Sequence, residues 1–427
     1  MMKEKLLHTP EGVRDIYNEE YKRKETVTRR MERVLSLFGY QKITTPTFEF
    51  FDIFNSDTGT VGSREMYKFF DRYNNTLVLR PDMTPSIARC AAKYYSDTSW
   101  PLRLSYVGNT FLNNENYKGK LAEKTELGAE HINDDSPEAD AEGIIMMIEC
   151  LMASGLTEFR IDIGQVDFYK SIMESLPVDE ADRDKIHDLV LNKNSLGLEQ
   201  LLSELPVPGD LAGTLSQINE LYGGVEILDK AAGLTRDERC QRAVNRLKEI
   251  YEIICIYGYE KYITFDLGMV NYFDYYTGVI FHGYTFGTGD AIGKGGRYDG
   301  LLGQFGMEAP SIGFTILVDD LMSALERQKI EVSIKDYRHM VLLYEKEDRA
   351  GAISLAAGLR GSGICTELTC ISRSSGREPQ EHYHRLSHIK SHGAYAVLEL
   401  KGEDVKVTDL ATGKVETRKL ADFREEY

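Results

Sequence analysis

The sequence predicts a multidomain protein of mixed α+β and α/β class. An antiparallel sheet flanked by helices should be interrupted by a helical insertion and followed by a smaller α/β domain. Three observations carry this prediction. The chain has 427 residues, too many for one typical core. Its first part mixes helical patterns with extended runs joined by tight turns, and helical patterns alone fill the middle. Strands and helices then alternate after about residue 336.

Helical and extended patterns follow one another through the first part of the chain. Residues 20–38 are predicted to form a long helix. Two extended runs around Asn74-Asn75 predict a β-hairpin. A helix should start near Thr84, whose side chain is a possible cap. Two further strands and an amphipathic helix are predicted at residues 101–111, 123–131 and 139–155.

The domain boundaries follow from changes in these patterns. Residues 167–260 show helix after helix and are predicted to be a helical insertion. Strand patterns return afterwards, so residues 1–166 and 261–330 should form one discontinuous body. Residues 336–427 read as a separate α/β domain.

Composition and charge disfavour several classes of function. The net charge is −17, a field that repels polyphosphate chains and disfavours nucleic acid as a partner. Nowhere do eighteen uncharged apolar residues run together, and the start lacks a signal-peptide core, so no membrane segment is expected. Six cysteines form no C-x-x-C pair, which is typical of reduced thiols and agrees with a cytoplasmic protein.

Ordered sequence motifs carry a resemblance to a known family. TPEGVRD and ITTPTFE stand near the N-terminus, followed by LRPDMTPSIAR, ELGAEHI, DYYTGVIF and GGRYDGLL, over about the first 320 residues. This series resembles the class II aminoacyl-tRNA synthetases, specifically their histidine-specific branch. The resemblance implies an antiparallel sheet flanked by helices, a homodimer formed through the ITTPTFE segment, and a C-terminal domain similar to an anticodon-binding domain.

The resemblance also implies a pocket for a free amino acid. An ammonium group is bound by carboxylates and hydroxyls that packing holds in place. The motifs assign this role to Asp82, Thr84, Glu126 and Glu130. Glu126 replaces a glutamine that is usual in the synthetases. The alternative is that Asp82 only caps the following helix and that the two glutamates are surface charges of a strand.

A planar imidazole needs flat walls with polar tips, which tyrosines supply. By their positions in the motifs, the residues assigned to this part of the pocket are Tyr275, Tyr276, Arg297 and Tyr298. The chain has 25 tyrosines, so simple packing is the alternative. Gly295 and Gly296 suit either a close approach of backbone to a ligand or a tight turn.

Three arginines that the synthetase family uses are replaced. Aminoacyl-adenylate formation brings a carboxylate to the α-phosphate of ATP, and guanidinium groups offset this repulsion. At the corresponding positions this chain has Leu112, Asn271 and Asp320. Losing one such donor typically costs about 3 kcal/mol in the transition state. We therefore expect a protein without ligase activity.

Chains of this kind resemble the regulatory subunit of short-form ATP phosphoribosyltransferase, the first enzyme of histidine biosynthesis. The resemblance implies a homodimer core within a hetero-oligomer with the catalytic subunit, and feedback inhibition by histidine. No cofactor and no metal are expected. Two alternatives stay open: an active histidine-tRNA ligase with displaced catalytic groups, and a sensor of uncharged tRNA.

The C-terminal domain bears on those alternatives. Residues 336–427 contain 14 Lys and Arg against 15 Asp and Glu, a net charge of −1, whereas an RNA-gripping domain should be basic. His384, His388 and His392 recur at helical spacing. Such a stripe could bind a metal, or it could be a solvated polar face.

Overall fold

The computed structural model describes residues 7–54, 61–113, 120–269, 276–334, 339–371, 389 and 393–426. Spatially the chain divides into two units, Met1–Val332 and Ser333–Tyr427. The larger unit contains all the described residues of the candidate pocket.

The larger unit begins with a long helix, as the sequence predicts. This helix, α1 (Asn18–Leu37), has two glutamates in its first turn and buries Val27, Met31 and Leu35. The spacing of four residues places these three side chains on one face, which packs against the core. Helix α2 (Thr84–Tyr95) and helix α3 (Pro137–Ser154) follow.

Local chemistry sets the limits of α3. Its first turn is capped by Ser136, whose hydroxyl accepts a hydrogen bond of 3.2 Å from the backbone N–H of Ala139. Pro137 suits the first helical position because it has no N–H to satisfy. The helix ends at Gly155, whose φ of 103° lies in the left-handed region.

The remaining helices of the larger unit lie mainly in the middle of the chain. They are α4 (Val166–Glu174), α5 (Glu180–Leu191), α6 (Ser195–Glu204), α7 (Gly209–Gln217), α8 (Glu226–Leu234), α9 (Glu238–Tyr257) and α10 (Val318–Arg327). Buried side chains of α5 to α9 belong to the same hydrophobic cluster as α3 and the sheet. The middle helices therefore share a core with the rest of the unit.

Twelve strands are described in the larger unit. They are β1 (Gln41–Lys42), β2 (Phe48–Phe50), β3 (Lys68–Phe70), β4 (Thr76–Leu79), β5 (Leu102–Phe111), β6 (Glu123–Ile132), β7 (Phe159–Gln165), β8 (Tyr222–Gly223), β9 (Ile263–Asp266), β10 (Val279–Thr285), β11 (Gly293–Arg297) and β12 (Ser311–Leu317). Nine of them form one sheet in the order β1-β5-β6-β12-β11-β10-β7-β9-β8.

The central strands of this sheet, from β5 to β7, pair antiparallel throughout. Parallel pairs occur between β1 and β5 and between β7 and β9. Strands from early and late in the sequence are thereby interleaved, since β6 lies beside β12. This arrangement brings the LRPDMT, ELGAEHI and GGRYDG segments to one region of the sheet.

A second, three-stranded sheet has the order β2-β4-β3. Its β3–β4 hairpin confirms the prediction from Asn74-Asn75: Asn74 has a φ of 65°, which asparagine tolerates. The Asp71 carboxylate accepts hydrogen bonds from the backbone N–H groups of Tyr73 and Asn75, both at 2.8 Å.

The smaller unit has a five-stranded sheet in the order β14-β13-β15-β16-β17. Its strands are β13 (His339–Tyr344), β14 (Cys365–Cys370), β15 (Ala396–Lys401), β16 (Asp404–Asp409) and β17 (Val415–Lys419). Helices α11 (Arg349–Gly361) and α12 (Leu420–Glu426) accompany them. Three of the strands are parallel neighbours and two form an antiparallel hairpin, so the unit is an α/β domain.

Three further observations concern chemistry outside the pocket. All six cysteines are free thiols. Within the part of the chain described here, no helix is both long and apolar enough to cross a lipid bilayer. The same described residues contain no group of three or more His, Cys, Asp or Glu side chains that could hold a metal ion. The histidine stripe at His384, His388 and His392 lies outside the described residues.

Candidate functional site

A cavity of about 360 Å³ opens over one face of the central sheet. Most of the residues that the sequence assigns to a ligand pocket line it, as do two of the replaced arginine positions: Asp82, Thr84, Leu112, Glu126, Glu130, Tyr276, Tyr298 and Asp320. Tyr275 and Asn271 lie outside the described residues. The structure thus brings together side chains from distant parts of the sequence.

Glu130 lies at the floor of the cavity and is 1% exposed. Its Oε1 accepts a hydrogen bond of 3.0 Å from the Thr84 hydroxyl, and its Oε2 accepts one from the Tyr298 hydroxyl. Burial raises the pKa of Glu130 to about 8, although both hydroxyls favour the charged form. Glu130 is therefore a buried carboxyl that holds its proton at neutral pH, and a cation bound beside it would favour the charged form.

A glycine makes room for this carboxylate. Gly313 on β12 is the direct neighbour of Glu130 in the sheet. A Cβ built at this glycine would come within 1.6 Å of Glu130 Oε2. Any larger residue at Gly313 would push the carboxylate away from its two hydroxyl donors.

Glu126 lies on the same face of β6, since residues four apart in a strand share a face. It accepts hydrogen bonds of 2.8 Å from the Thr110 hydroxyl and 3.1 Å from the Thr315 hydroxyl. Burial, and then the charge of Asp82, raise the pKa of Glu126 to about 7. Glu126 is 9% exposed, so it is not a surface charge of the strand.

Asp82 and Thr84 occupy the start of α2. The Asp82 carboxylate accepts a hydrogen bond of 3.0 Å from the backbone N–H of Thr84 and also lines the cavity. Both interpretations of Asp82 thus describe part of its environment. Thr84 is not the cap residue: Met83 holds that position, and the Thr84 hydroxyl bonds to Glu130.

The glycines of the GGRYDG segment provide a flat surface for aromatic rings. A Cβ on Gly296 would lie 2.6 Å from Cε1 of Tyr276, and a Cβ on Gly295 would lie 2.4 Å from Phe281 on the other face. Both glycines belong to β11, so they form no turn. They allow the Tyr276 ring to lie directly against the strand at the cavity wall.

The prediction that Arg297 lines the ligand pocket is wrong, because its side chain does not line this cavity. Its Nε and Nη2 donate hydrogen bonds of 2.9 Å and 2.6 Å to Asp140 Oδ1, and it is 5% exposed. Consecutive residues of an extended chain point to opposite faces. Since Tyr298 faces the cavity, Arg297 faces the helices behind the sheet.

Several cavity residues were missed at the sequence level. Thr110, Thr315 and Lys124 were not singled out, although Thr110 and Lys124 are each two residues from an assigned position. Lys124 precedes Glu126 by two residues, and this strand period could have placed it on the cavity face. His282 also lines the cavity, and burial lowers its pKa to about 4.

Comparison with known proteins identifies the relatives of this chain. A family model described as histidyl-tRNA synthetase matches residues 12–321. A protein of Acetivibrio thermocellus named ATP phosphoribosyltransferase regulatory subunit is 38% identical over 414 residues, 97% of each chain. A protein of the same name from Clostridium acetobutylicum is 40% identical over 321 residues, which cover 75% of this chain and 79% of that one.

Two solved structures share the fold. One, from Bacillus halodurans, is titled ATP phosphoribosyltransferase regulatory subunit/histidyl-tRNA synthetase; it is 32% identical, covers 89% of this chain and 96% of its own, and superimposes with a TM-score of 0.79. The histidyl-tRNA synthetase of Nostoc gives a TM-score of 0.78 at 18% identity over 98% of each chain, which shows the fold alone. The predicted class II synthetase fold is confirmed. The chain belongs to the histidyl-tRNA synthetase family, among those members that are named ATP phosphoribosyltransferase regulatory subunit.

Proposed function

We propose that this chain is a non-catalytic regulatory subunit of ATP phosphoribosyltransferase and that its cavity binds histidine. The observation that carries the proposal is the ion pair between Asp320 and Lys124, at 2.8 Å. An arginine of the synthetases would stand at position 320. Here a carboxylate occupies it and is tied to the cavity wall.

The remaining groups support amino-acid binding without adenylate chemistry. Glu126 and Glu130 are buried carboxylates that suit an ammonium group, and Tyr276 provides a flat wall for an imidazole. Leu112 lines the cavity where a second phosphate-binding arginine would be expected. ATP would meet a carboxylate and an apolar side chain in place of two guanidinium groups, so its α-phosphate would be repelled.

The names of the relatives support a partnership with the catalytic subunit of short-form ATP phosphoribosyltransferase. The exposed face of the three-stranded sheet β2-β4-β3 would suit the interface of a homodimer. On that face Phe48 and Phe50 are 52% and 55% exposed, and Phe69 packs edge-to-face against Phe48 at 5.8 Å. Clustered exposed aromatics of this kind are typical of interfaces. Sedimentation analysis of the purified chain would measure the assembly state.

The protein is proposed to be cytoplasmic and to consist of a body, a helical insertion and a C-terminal domain. Six free thiols suit the reducing cytoplasm. We treat residues 167–260 as a helical insertion into the body and residues 336–427 as the C-terminal domain. The near-neutral charge of that domain and the net charge of −17 disfavour RNA as its partner. The proposed function needs no cofactor.

Two assays test the proposed function. The first is histidine-dependent exchange of labelled pyrophosphate into ATP, with an authentic histidyl-tRNA synthetase as the positive control. We expect no exchange; clear exchange would establish a ligase instead. The second mixes the chain with a purified short-form catalytic subunit and measures phosphoribosyl transfer to ATP. We expect activity that depends on the chain and is inhibited by histidine. Equal activity with an unrelated acidic protein would contradict the proposal.

Histidine can inhibit only if it binds one state of the complex more tightly than another. Isothermal titration of histidine into the complex with the catalytic subunit, without substrate, would give the affinity of one state. The same titration into the complex saturated with ATP would give the other. A difference between the two affinities is the coupling that feedback inhibition requires.

A further inference from the structure

The rim of the cavity carries a lysine that the family resemblance did not assign. Lys124 Nζ lies 2.8 Å from Asp320 Oδ2, and both residues line the cavity. Their side chains are 21% and 32% exposed. Partial burial removes much of the water that would otherwise screen this cation, so its field inside the cavity is stronger than that of a surface lysine.

Lys124 belongs to the same strand face as the two buried carboxylates. Residues 124, 126 and 130 of β6 all point to the cavity because side chains alternate along a strand. Two residues along a strand span about 6.7 Å, so Lys124 lies beside Glu126, whereas Glu130 is about 20 Å from Lys124 along the strand. The lysine is close enough to act on its neighbour, because its charge lowers the pKa of Glu126 against the larger effect of burial.

The partner of Lys124 is held rigidly. The preceding residue, Asp319, is 5% exposed and accepts hydrogen bonds of 2.7 Å from the backbone N–H of Thr125 and from Lys24. These bonds fix the first turn of α10 against β6. Acidic residues are also favoured at a helix N-terminus. Asp320 therefore presents its carboxylate to Lys124 from a fixed position.

The other cations of the cavity are less suited to hold a ligand. Lys120 pairs with Asp290 at 3.4 Å, and both side chains are largely exposed, at 61% and 77%. Lys294 is exposed. Among the described residues that line the cavity there is no arginine. Lys124 is thus the most buried cation beside the carboxylates.

We propose that the Lys124 ammonium binds the carboxylate of the amino acid whose own ammonium is held by Glu126. This proposal rests on the proposed function, since it requires an amino acid in the cavity. A free amino acid is a dipole, and β6 presents a matching dipole, with a cation at Lys124 and a carboxyl two residues later at Glu126. A lysine ammonium has three donors, so Lys124 can retain Asp320 and bind a second carboxylate.

The test compares two ligands that differ only in the group that Lys124 is proposed to bind. L-Histidine has a carboxylate, and L-histidinol has an alcohol in its place. Isothermal titration of both into the full chain and its Lys124→Gln variant gives four affinities. We expect the substitution to weaken histidine roughly ten- to a hundredfold, the range for losing a hydrogen bond to a charged group. Histidinol should change less than about threefold on the same scale.

The matched control is Lys406→Gln, which breaks another lysine–carboxylate pair of 2.8 Å, with Glu399, in the smaller unit. Its affinities should equal those of the unmodified chain. If Lys124→Gln weakens the binding of both ligands equally, or of neither, the role of Lys124 is overturned. The proposal that the cavity binds histidine would still stand. Failure of the unmodified chain to bind either ligand would instead overturn the proposed function.

A second variant keeps the test decisive if Lys124→Gln does not fold. Asp320→Asn preserves the shape of the side chain but removes a negative charge that repels the carboxylate Lys124 is proposed to bind. Histidine should then bind severalfold more tightly, while histidinol should be unaffected or slightly weaker. Unchanged or weaker histidine binding would contradict the proposal.

Discussion

Arg297 donates two hydrogen bonds to Asp140, at 2.9 Å and 2.6 Å, directly behind the wall of the cavity. Asp140 also accepts one of 2.7 Å from Arg246 of α9. The Asp140 carboxylate on α3 thus joins β11 to helix α9. The residue that follows β11, Tyr298, donates a hydrogen bond to Glu130. The pair is structural, and it supports the cavity from behind.

Replacing Asp140 by Asn should strongly destabilise the larger unit. Asp140 is 1% exposed and Arg297 5%, so the substitution would leave a buried guanidinium with only the part-exposed Asp299 carboxylate, at 3.2 Å, as its counter-charge. Breaking a buried ion pair in this way costs about 3–5 kcal/mol. Urea unfolding followed by circular dichroism would measure the loss. The control is Arg29→Gln, which breaks an exposed pair with Glu25 and should cost less than about 1 kcal/mol. Equal effects of the two variants would contradict the structural role of Asp140.

Glu126→Gln should change how stability depends on pH. Burial raises the pKa of Glu126 from an ordinary value of 4.5 to about 7. Between these pH values the folded state holds a proton that the unfolded state has lost, so the free energy of unfolding falls as pH rises. The contribution of this residue is about 3 kcal/mol in total.

The measurement is the urea midpoint at pH 5.5 and at pH 8.5. Relative to the unmodified chain, Glu126→Gln should be more stable at the higher pH than at the lower one. Glu199→Gln, an exposed position on α6, serves as the control and should follow the unmodified chain. A parallel pH dependence for Glu126→Gln would show that Glu126 does not titrate in this range.

Gly313→Ala should weaken ligand binding through its effect on Glu130. The added methyl group would come within 1.6 Å of Glu130 Oε2, so the carboxylate must leave the hydroxyls of Thr84 and Tyr298. Overpacking of this kind costs about 1–3 kcal/mol of stability. Histidine affinity should fall at least tenfold, as for the loss of one charged hydrogen bond. Titration calorimetry and thermal unfolding would measure both effects.

A second glycine provides the control for that substitution. Gly213 in α7 has no heavy atom within 4 Å of the position of an added Cβ. Gly213→Ala should therefore stabilise the chain by up to about 1 kcal/mol, since alanine is the better helix former, and leave histidine binding unchanged. If Gly313→Ala bound histidine as tightly as Gly213→Ala, Glu130 would not be part of the ligand site.

Local patterns predicted the elements that local interactions determine. The helix at Asn18–Leu37 follows its apolar spacing, and the hairpin around Asn74 follows its turn residues. The β16–β17 hairpin and α12 were not predicted. In β16, Val405 and Val407 alternate with polar residues, a strand pattern that sequence reasoning overlooked. Strand β17 is largely exposed and has no apolar alternation, so only its pairing with β16 reveals it.

The site was predicted where motifs name residues and missed where contacts are distant. Lys124 and Asp320 are 196 residues apart, and only the sheet brings them together. The Arg297 side chain points away from the cavity because of the way the two faces of β11 are oriented. The motif alone does not reveal this orientation. Asp320 was predicted as the loss of a cation; its pairing with Lys124 required the structure.

Leu112→Arg alone should not restore adenylate formation. The new guanidinium would enter a cavity in which Asp320 still replaces a second phosphate-binding arginine. Asp320 also forms an ion pair with Lys124. Each missing donor costs about 3 kcal/mol in the transition state, so one arginine leaves a deficit of several kcal/mol, and Asp320 adds repulsion. Histidine-dependent pyrophosphate exchange should remain at background, while the same assay detects an authentic synthetase. Adding Asp320→Arg would remove the repulsion and supply a second guanidinium, so the double variant is the one in which exchange should first rise. Activity in Leu112→Arg alone would mean that Asp320 does not hinder phosphate binding, and that one guanidinium is enough for the reaction.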